Sequence, residues 1–202
     1  MYDNRRFWDR MARLYAPIQE HSNRRLYEAV TSRCSPYLTK DTRVLELACG
    51  SGQLTIPLHG LAGSWEATDF SEKMVRETLR RCPQVSASVQ DATALPYVDD
   101  SFDVVLIANA LHIMPEPEKA LAEIHRVLRP GGVILTPTFV YEGKINRVRM
   151  KLTELVGFQT YRKWTLQDLR RVLERSGFRV IEQALLPGDP LPEGFAAARA
   201  EK

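Results

Sequence analysis

The sequence is poor in cysteine and has no long apolar run. Cys34, Cys49 and Cys82 are its only cysteines, an odd number without a CxxC pair, so neither a disulfide framework nor a zinc site is indicated and no metal-ligand cluster is read. No apolar stretch approaches the roughly 18 residues that a membrane span requires. The opening residues, MYDNRRFWDRMARLY, lack the apolar centre and small-residue cleavage site of a secretion signal. The expected location is therefore cytoplasmic, with no membrane span. A strong excess of one charge is missing as well. The 28 basic and 25 acidic side chains leave a formal net charge of +3, too near balance to draw in nucleic acid or a membrane surface by itself. Internal repeats and low-complexity tracts are absent. What is there is ordinary: 44% hydrophobic and 26% charged residues over 202 positions, a composition and length that suit one globular domain spanning residues 1–202.

Breakers and hydrophobic periodicity divide the chain into alternating strand-like and helix-like runs, the pattern of a parallel sheet with crossover helices. Residues 4–16 and 22–34 read as amphipathic helices parted near Pro17. Thr42 to Ala48 (TRVLELA) reads as a buried first strand, followed by a helix from about Gly52 to Gly60 and a second strand from Ser64 to Asp69. Ser71 is placed to cap a helix with Met74, Val75 and Leu79 on one face. Val85 to Val89 reads as a third strand, and Phe102 to Ala108 (FDVVLIA), apolar on both faces, as a central one. A helix from about Glu116 to Leu128 stops at Pro130 and Gly131 before a strand at Val133 to Pro137. Glu142 to Lys163 is less regular and rich in Lys and Arg, as an insertion would be. Thr165 then caps a helix to about Ser176, closed by Gly177, and the strands FRVIEQALL and EGFAAARA are joined by PGDPLP.

The loop after the first strand, ELACGSGQL, sets Gly50 and Gly52 between a strand end and a helix start. Glycines there let backbone amides approach a ligand at the positive end of a helix. Asp69 closes the second strand 19 positions after Gly50, and in a doubly wound sheet a carboxylate at that place accepts the two hydroxyls of a ribose. Nicotinamide dinucleotides and S-adenosylmethionine are both held in this way. The dinucleotide fingerprint GxGxxG needs a third glycine, and its position here is Thr55. Taken alone, the GSG is equally a tight strand-to-helix turn.

Four stretches in order carry more. ELACGSG at 46–52, ATDFSEKMV at 67–75, QDATALPYVDDSFDVVLIANALHIM at 90–114 and EIHRVLRPGGVILTPTF at 123–139 resemble the class I S-adenosylmethionine-dependent methyltransferases, in particular their small-molecule, type 11-like branch. The likeness runs from about Arg43 to Phe139, roughly half the chain, with Ala48 where the family often has glycine. It implies an α/β, doubly wound, Rossmann-like sheet of seven strands, mostly parallel with the last antiparallel, and helices on both faces. It implies S-adenosylmethionine as cofactor, with Ala48, Cys49, Gly50 and Gly52 around its methionine moiety and Asp69 on its ribose. Phe70 and Met74 would pack against the adenine, Asp91 would accept its amino group, and the Ala92 amide would reach a ring nitrogen. Asn109 and His112 follow the fourth strand, whose C-terminal end faces the crevice. Asn109 is assigned to the cofactor; His112 is the candidate catalytic base or, alternatively, a buried histidine that orients the next loop.

Under this resemblance residues 1–41 are N-terminal helices, 42–140 the cofactor core, 141–164 a lid or acceptor insertion, and 165–202 a C-terminal helix and strands. Phe7, Trp8 and Tyr15 recur at about helical spacing. They form either an aromatic lid over the cofactor, with Tyr15 touching it, or a face docked on the core. The basic insertion is either a solvated face or an apolar-lined lid. No NPPY-like tetrad follows the fourth strand, where ANAL stands, and no basic appended domain is present, which disfavours nucleic acid as substrate. The expected reaction is methyl transfer to a small, apolar or aromatic acceptor through an O, S, N or C atom. A protein or RNA methyltransferase and a non-catalytic cofactor-binding domain are the competing readings.

Overall fold

Runs such as VLEL and VVLI, apolar on both faces, can be buried only between two layers of helix, and that is how they are used. The computed structural model describes residue 9 and residues 23–143, 145–146 and 161–202. The elements are α1 (23–34), β1 (Arg43–Leu47), α2 (Thr55–Leu58), β2 (Ser64–Asp69), α3 (Glu72–Arg81), β3 (Ser86–Val89) and β4 (Phe102–Ile107). They continue with α4 (Pro117–Val127), β5 (Leu128–Phe139), α5 (Leu166–Arg175), β6 (Phe178–Leu186) and β7 (Glu193–Ala200). The strands form one seven-stranded sheet in the order β3-β2-β1-β4-β5-β7-β6. β1 pairs in parallel with β2 and β4, and β7 runs antiparallel between β5 and β6. The expected sheet, with its last strand reversed, is what forms. The order reverses between β1 and β4, so the crevice of the sheet opens at their C-terminal ends.

Alternate residues of each strand feed two cores. Leu45, Leu47, Val105, Ile107 and Ile134 pack with α4 and α5, whereas Val44, Val104, Leu106 and Leu135 pack with Leu26, Val30 and Cys34 of α1 and with Leu58. Helices therefore cover both faces. Ser71 caps α3 by accepting the Met74 amide, and Thr165 with Asp168 forms a capping box on α5. β7 lies between two strands, and its Phe195 and Ala196 to Ala198 are fully buried.

Three expectations are corrected. The helix expected over 52–60 is one turn, Thr55–Leu58, continued as a 3-10 turn His59–Leu61. Pro57, which has no N–H to bond backwards, sits within it. Pro130 and Gly131 do not separate helix from strand: β5 begins at Leu128, and these residues bulge out of it, since Phe102 pairs with Leu128 and Val104 with Val133. Leu79 does not share the buried face of α3, where Thr78 stands beside Met74 and Val75. The helix expected over 4–16 lies outside the described residues except for Asp9, as does most of the insertion at 142–163.

Candidate active site

After Leu47 the chain coils sharply, with Ala48, Gly50 and Gly52 at φ 55°, 57° and 81°. This left-handed region favours glycine, and Ala48 occupies it under strain. The loop is pinned from three sides: the Cys49 amide donates to the Thr68 carbonyl at 2.9 Å, the Gly52 amide to the Cys49 carbonyl at 3.0 Å, and the Thr78 hydroxyl to the Gly50 carbonyl at 2.9 Å. That last bond explains why α3 buries Thr78 and not Leu79. Because α2 is one turn long, little of a helix dipole stands behind the loop. The coil's amides at Cys49, Gly50 and Gly52 are themselves bonded within the protein.

Two carboxyls stand over this coil. Asp69 accepts the Gly50 amide on Oδ2 at 2.9 Å and the Ser71 amide on Oδ1 at 2.8 Å, leaving lone pairs on both oxygens for a diol. Its burial outweighs those bonds and pushes its pKa up to about 6. Ser71 also donates its hydroxyl to Asp9. Glu46, in mid-strand, accepts the Thr55 hydroxyl at 2.6 Å and the Trp65 indole N–H at 2.9 Å, both on Oε2. Fully buried, it is pushed up to about 7 by desolvation.

A cavity of about 570 Å³ opens at the C-terminal ends of β1, β2 and β4. Ala48, Cys49, Gly50, Asp69 and Phe70 line it, as do Met74, Asp91, Ala92 and Asn109. Phe70 stands 50% exposed, while Met74 is buried. Asp91 is exposed and accepts the Thr93 amide and hydroxyl on Oδ1. Gly52 is a turn residue and does not line the cavity. Tyr15, Phe7 and Trp8 lie outside the described residues. Cys49 is buried, and its thiol is pushed well up by desolvation, so it is held neutral.

His112 is not brought to the cavity. It is fully buried, its Nδ1 bonds the Thr138 hydroxyl at 2.9 Å, and its ring meets Phe139 edge-on. Its carbonyl accepts the Tyr161 and Arg162 amides, both at 3.0 Å. Burial lowers its pKa to about 3. Of its two readings, the geometry supports a histidine that holds a loop in place.

Sequence reasoning passed over Glu46, Tyr27, Gln90, Thr93 and Glu116, which also line the cavity. Glu46 did carry a signal, an acid inside an otherwise apolar strand, where a charge is too costly to bury without a partner. The described lining thus holds four acids, Glu46, Asp69, Asp91 and Glu116, and no lysine or arginine.

The comparisons with known proteins follow the same lines. Residues 44–132 match the family model described as "Methyltransferase domain". A demethylmenaquinone methyltransferase from Renibacterium salmoninarum is 42% identical over 97 residues, covering 48% of this chain and 41% of that protein. One from Clavibacter sepedonicus is 38% identical over 120 residues, covering 58% and 49%. The chain spans about half the length of the curated relatives it matches. Among solved structures it resembles the methyltransferase found in complex with the Haloferax volcanii Trm112 methyltransferase activator (20% identity, TM-score 0.81, covering 98% of this chain and 97% of that one). A SAM-dependent methyltransferase from Thermotoga maritima is as near in shape (21% identity, TM-score 0.79, covering 97% and 99%). The fold is that of the class I S-adenosylmethionine-dependent methyltransferases. Residues 44–132 carry the methyltransferase-domain pattern in sequence as well.

Proposed function

We propose that the chain transfers a methyl group from S-adenosylmethionine to a small, apolar or aromatic acceptor. The observation that carries this reading is that every charged side chain lining the cavity, among the described residues, is an acid. A dinucleotide would bring a pyrophosphate to this place, and carboxylates repel it; a sulfonium with an ammonium group is attracted. Asp69 would hold the ribose hydroxyls, Phe70 and Met74 the adenine, and Glu46 would stand as counter-charge to the cationic end. When bound, the cofactor supplies an electrophilic methyl group.

The chain's own residues then have to orient and exclude water. Holding two reactants in line is worth roughly 7 to 11 kcal/mol, and closing off water favours a displacement in which charge is neutralised. His112, buried and poorly basic, positions the 161–162 segment and takes no proton. The name of the relatives, demethylmenaquinone methyltransferase, supports an aromatic, largely apolar acceptor. Residues 1–41 and 141–164, outside the matched segment, would contribute to acceptor choice. Among the described residues no helix is long and apolar enough to cross a membrane, and we propose a cytoplasmic location. The test is turnover: with S-adenosylmethionine and a panel of reduced quinones, phenols, thiols and amines, S-adenosylhomocysteine should accumulate together with one methylated product. Tight cofactor binding with no turnover on any small molecule, but turnover on protein or RNA, would reverse the acceptor assignment.

A further inference from the structure

β7 runs antiparallel to β5, so its first residue, Glu193, lies at the same edge of the sheet as the C-terminal ends of the parallel strands, opposite Phe139 in the register. This places an acid from the far end of the chain, outside the matched segment, behind the cavity. Glu193 is 1% exposed, and its Oε2 accepts Nδ2 of Asn109 at 3.2 Å. Asn109 is held unusually firmly. Its backbone stands at φ 51°, a conformation asparagine tolerates better than most residues, and its amide donates to the Pro137 carbonyl at 2.8 Å. In this pairing the Asn109 amide turns its NH₂ toward Glu193, whose carboxyl is pushed up to about 7 by burial. Its Oδ1 is thereby left over. That oxygen is buried and has no donor among the described residues, although Asn109 lines the cavity. Buried acceptors are nearly always satisfied, and one left open beside a binding cavity fits a donor that arrives with the ligand.

We propose that Asn109 Oδ1 receives an O–H or N–H of the methyl acceptor, and that Glu193 is the positioning residue that holds the Asn109 amide in the required sense. The inference rests on the methyl-transfer reading and deepens it: the acceptor is a molecule that carries a hydrogen-bond donor at or beside the methylated atom, such as a hydroquinone, a phenol or an amine. Glu193 touches no ligand; it acts through Asn109.

The test uses two probes, 1,4-dihydroxynaphthalene and its O-methylated, donor-free counterpart 1,4-dimethoxynaphthalene, titrated under anaerobic conditions into the full chain saturated with S-adenosylhomocysteine. The wild-type complex should bind the diol at least about tenfold more tightly than the diether, a margin suited to one hydrogen bond made in a buried site. Asn109→Ala should remove that preference, Glu193→Ala should reduce it severalfold, and Glu193→Gln, which keeps an acceptor for Nδ2, should restore it. A cooperative thermal unfolding transition in each variant reports that it has folded; should Glu193→Ala fail to fold, Asn109→Ala and Glu193→Gln carry the test. Equal affinity of the wild type for diol and diether, or a preference that survives Asn109→Ala, overturns the assignment while leaving the cofactor reading in place. A wild-type chain that does not bind S-adenosylhomocysteine overturns the methyl-transfer reading and this inference with it.

Discussion

The two sides of the cavity are built in different ways. On the β1–β2 side the polar groups come from neighbouring strand ends and are tied to each other directly: Asp69 to the Gly50 amide, and Thr78 to the Gly50 carbonyl. On the β4 side Asn109 reaches far along the chain, to Glu193 across 84 positions, while His112 is tied to Thr138 of β5. The first side is a crossover unit whose geometry follows from local spacing. The second exists only once β7 has inserted between β5 and β6. A common cofactor can be served by the first arrangement in many proteins, while the second is free to differ with the acceptor.

The sharpest way to break this comparison is to remove the acid of the first side. In the proposed binding mode Asp69→Ala would delete two charge-assisted hydrogen bonds to the ribose, each worth about 1.5 to 3 kcal/mol, and should weaken S-adenosylmethionine binding by about 100-fold or more in calorimetry. A fall of less than about threefold would remove Asp69 from the ribose.

The protonation of the same side should be visible next. Burial raises Asp69 to about 6 and Glu46 to about 7, so both carry protons in the free chain at pH 5 and lose them by pH 8. A cationic cofactor needs the ionised forms. Its affinity should therefore rise at least about tenfold from pH 5 to 8, a trend that titration at five or six pH values would check. The stability of the free protein should move the opposite way. The folded chain holds these protons more tightly than the unfolded one, so the carboxyls contribute most below about pH 4 and that contribution is lost as pH rises through 6 to 7.

On the second side, His112→Ala should cost stability and spare the cofactor. The ring is fully buried and holds Thr138 and Phe139, so its loss should lower unfolding free energy by about 2 kcal/mol in denaturant titrations. S-adenosylmethionine affinity should stay within about twofold of wild type, a limit set by ordinary scatter between distant sites. A variant that binds the cofactor and loses turnover with a shifted pH profile, at unchanged stability, would return His112 to the chemistry. The smallest effect belongs to the coil. Ala48 holds φ 55°, and Ala48→Gly should relieve that strain and raise stability by about 1 kcal/mol.

Much of the first side was legible in the sequence for a physical reason. Gly50, Asp69, Phe70, Met74, Asp91 and Ala92 all line the cavity, and each sits at or just after a strand end that hydrophobic runs mark clearly. The alternation of strand and helix marked the parallel sheet, while its reversed last strand came from the family resemblance. What was misread depends on single residues acting against the pattern. Pro57 cuts the second helix to one turn, and the bulge at Pro130 and Gly131 lets β5 start before the apparent breakers. Thr78, polar by type, is buried because a carbonyl of the glycine coil needs it. His112 looked exposed to the crevice by position, and nothing local announces that Thr138 and the 161–162 segment enclose it. Glu193 had no local signal either, since its partner lies 84 positions away.

The central claim is that an acidic cavity at the β1–β4 switch selects a cationic nucleoside cofactor over an anionic dinucleotide. Calorimetric titration of the wild-type chain with S-adenosylmethionine and, separately, with NAD tests it most directly. Saturable binding of S-adenosylmethionine with no detectable heat from NAD is the predicted result; tight NAD binding with none of S-adenosylmethionine would contradict it.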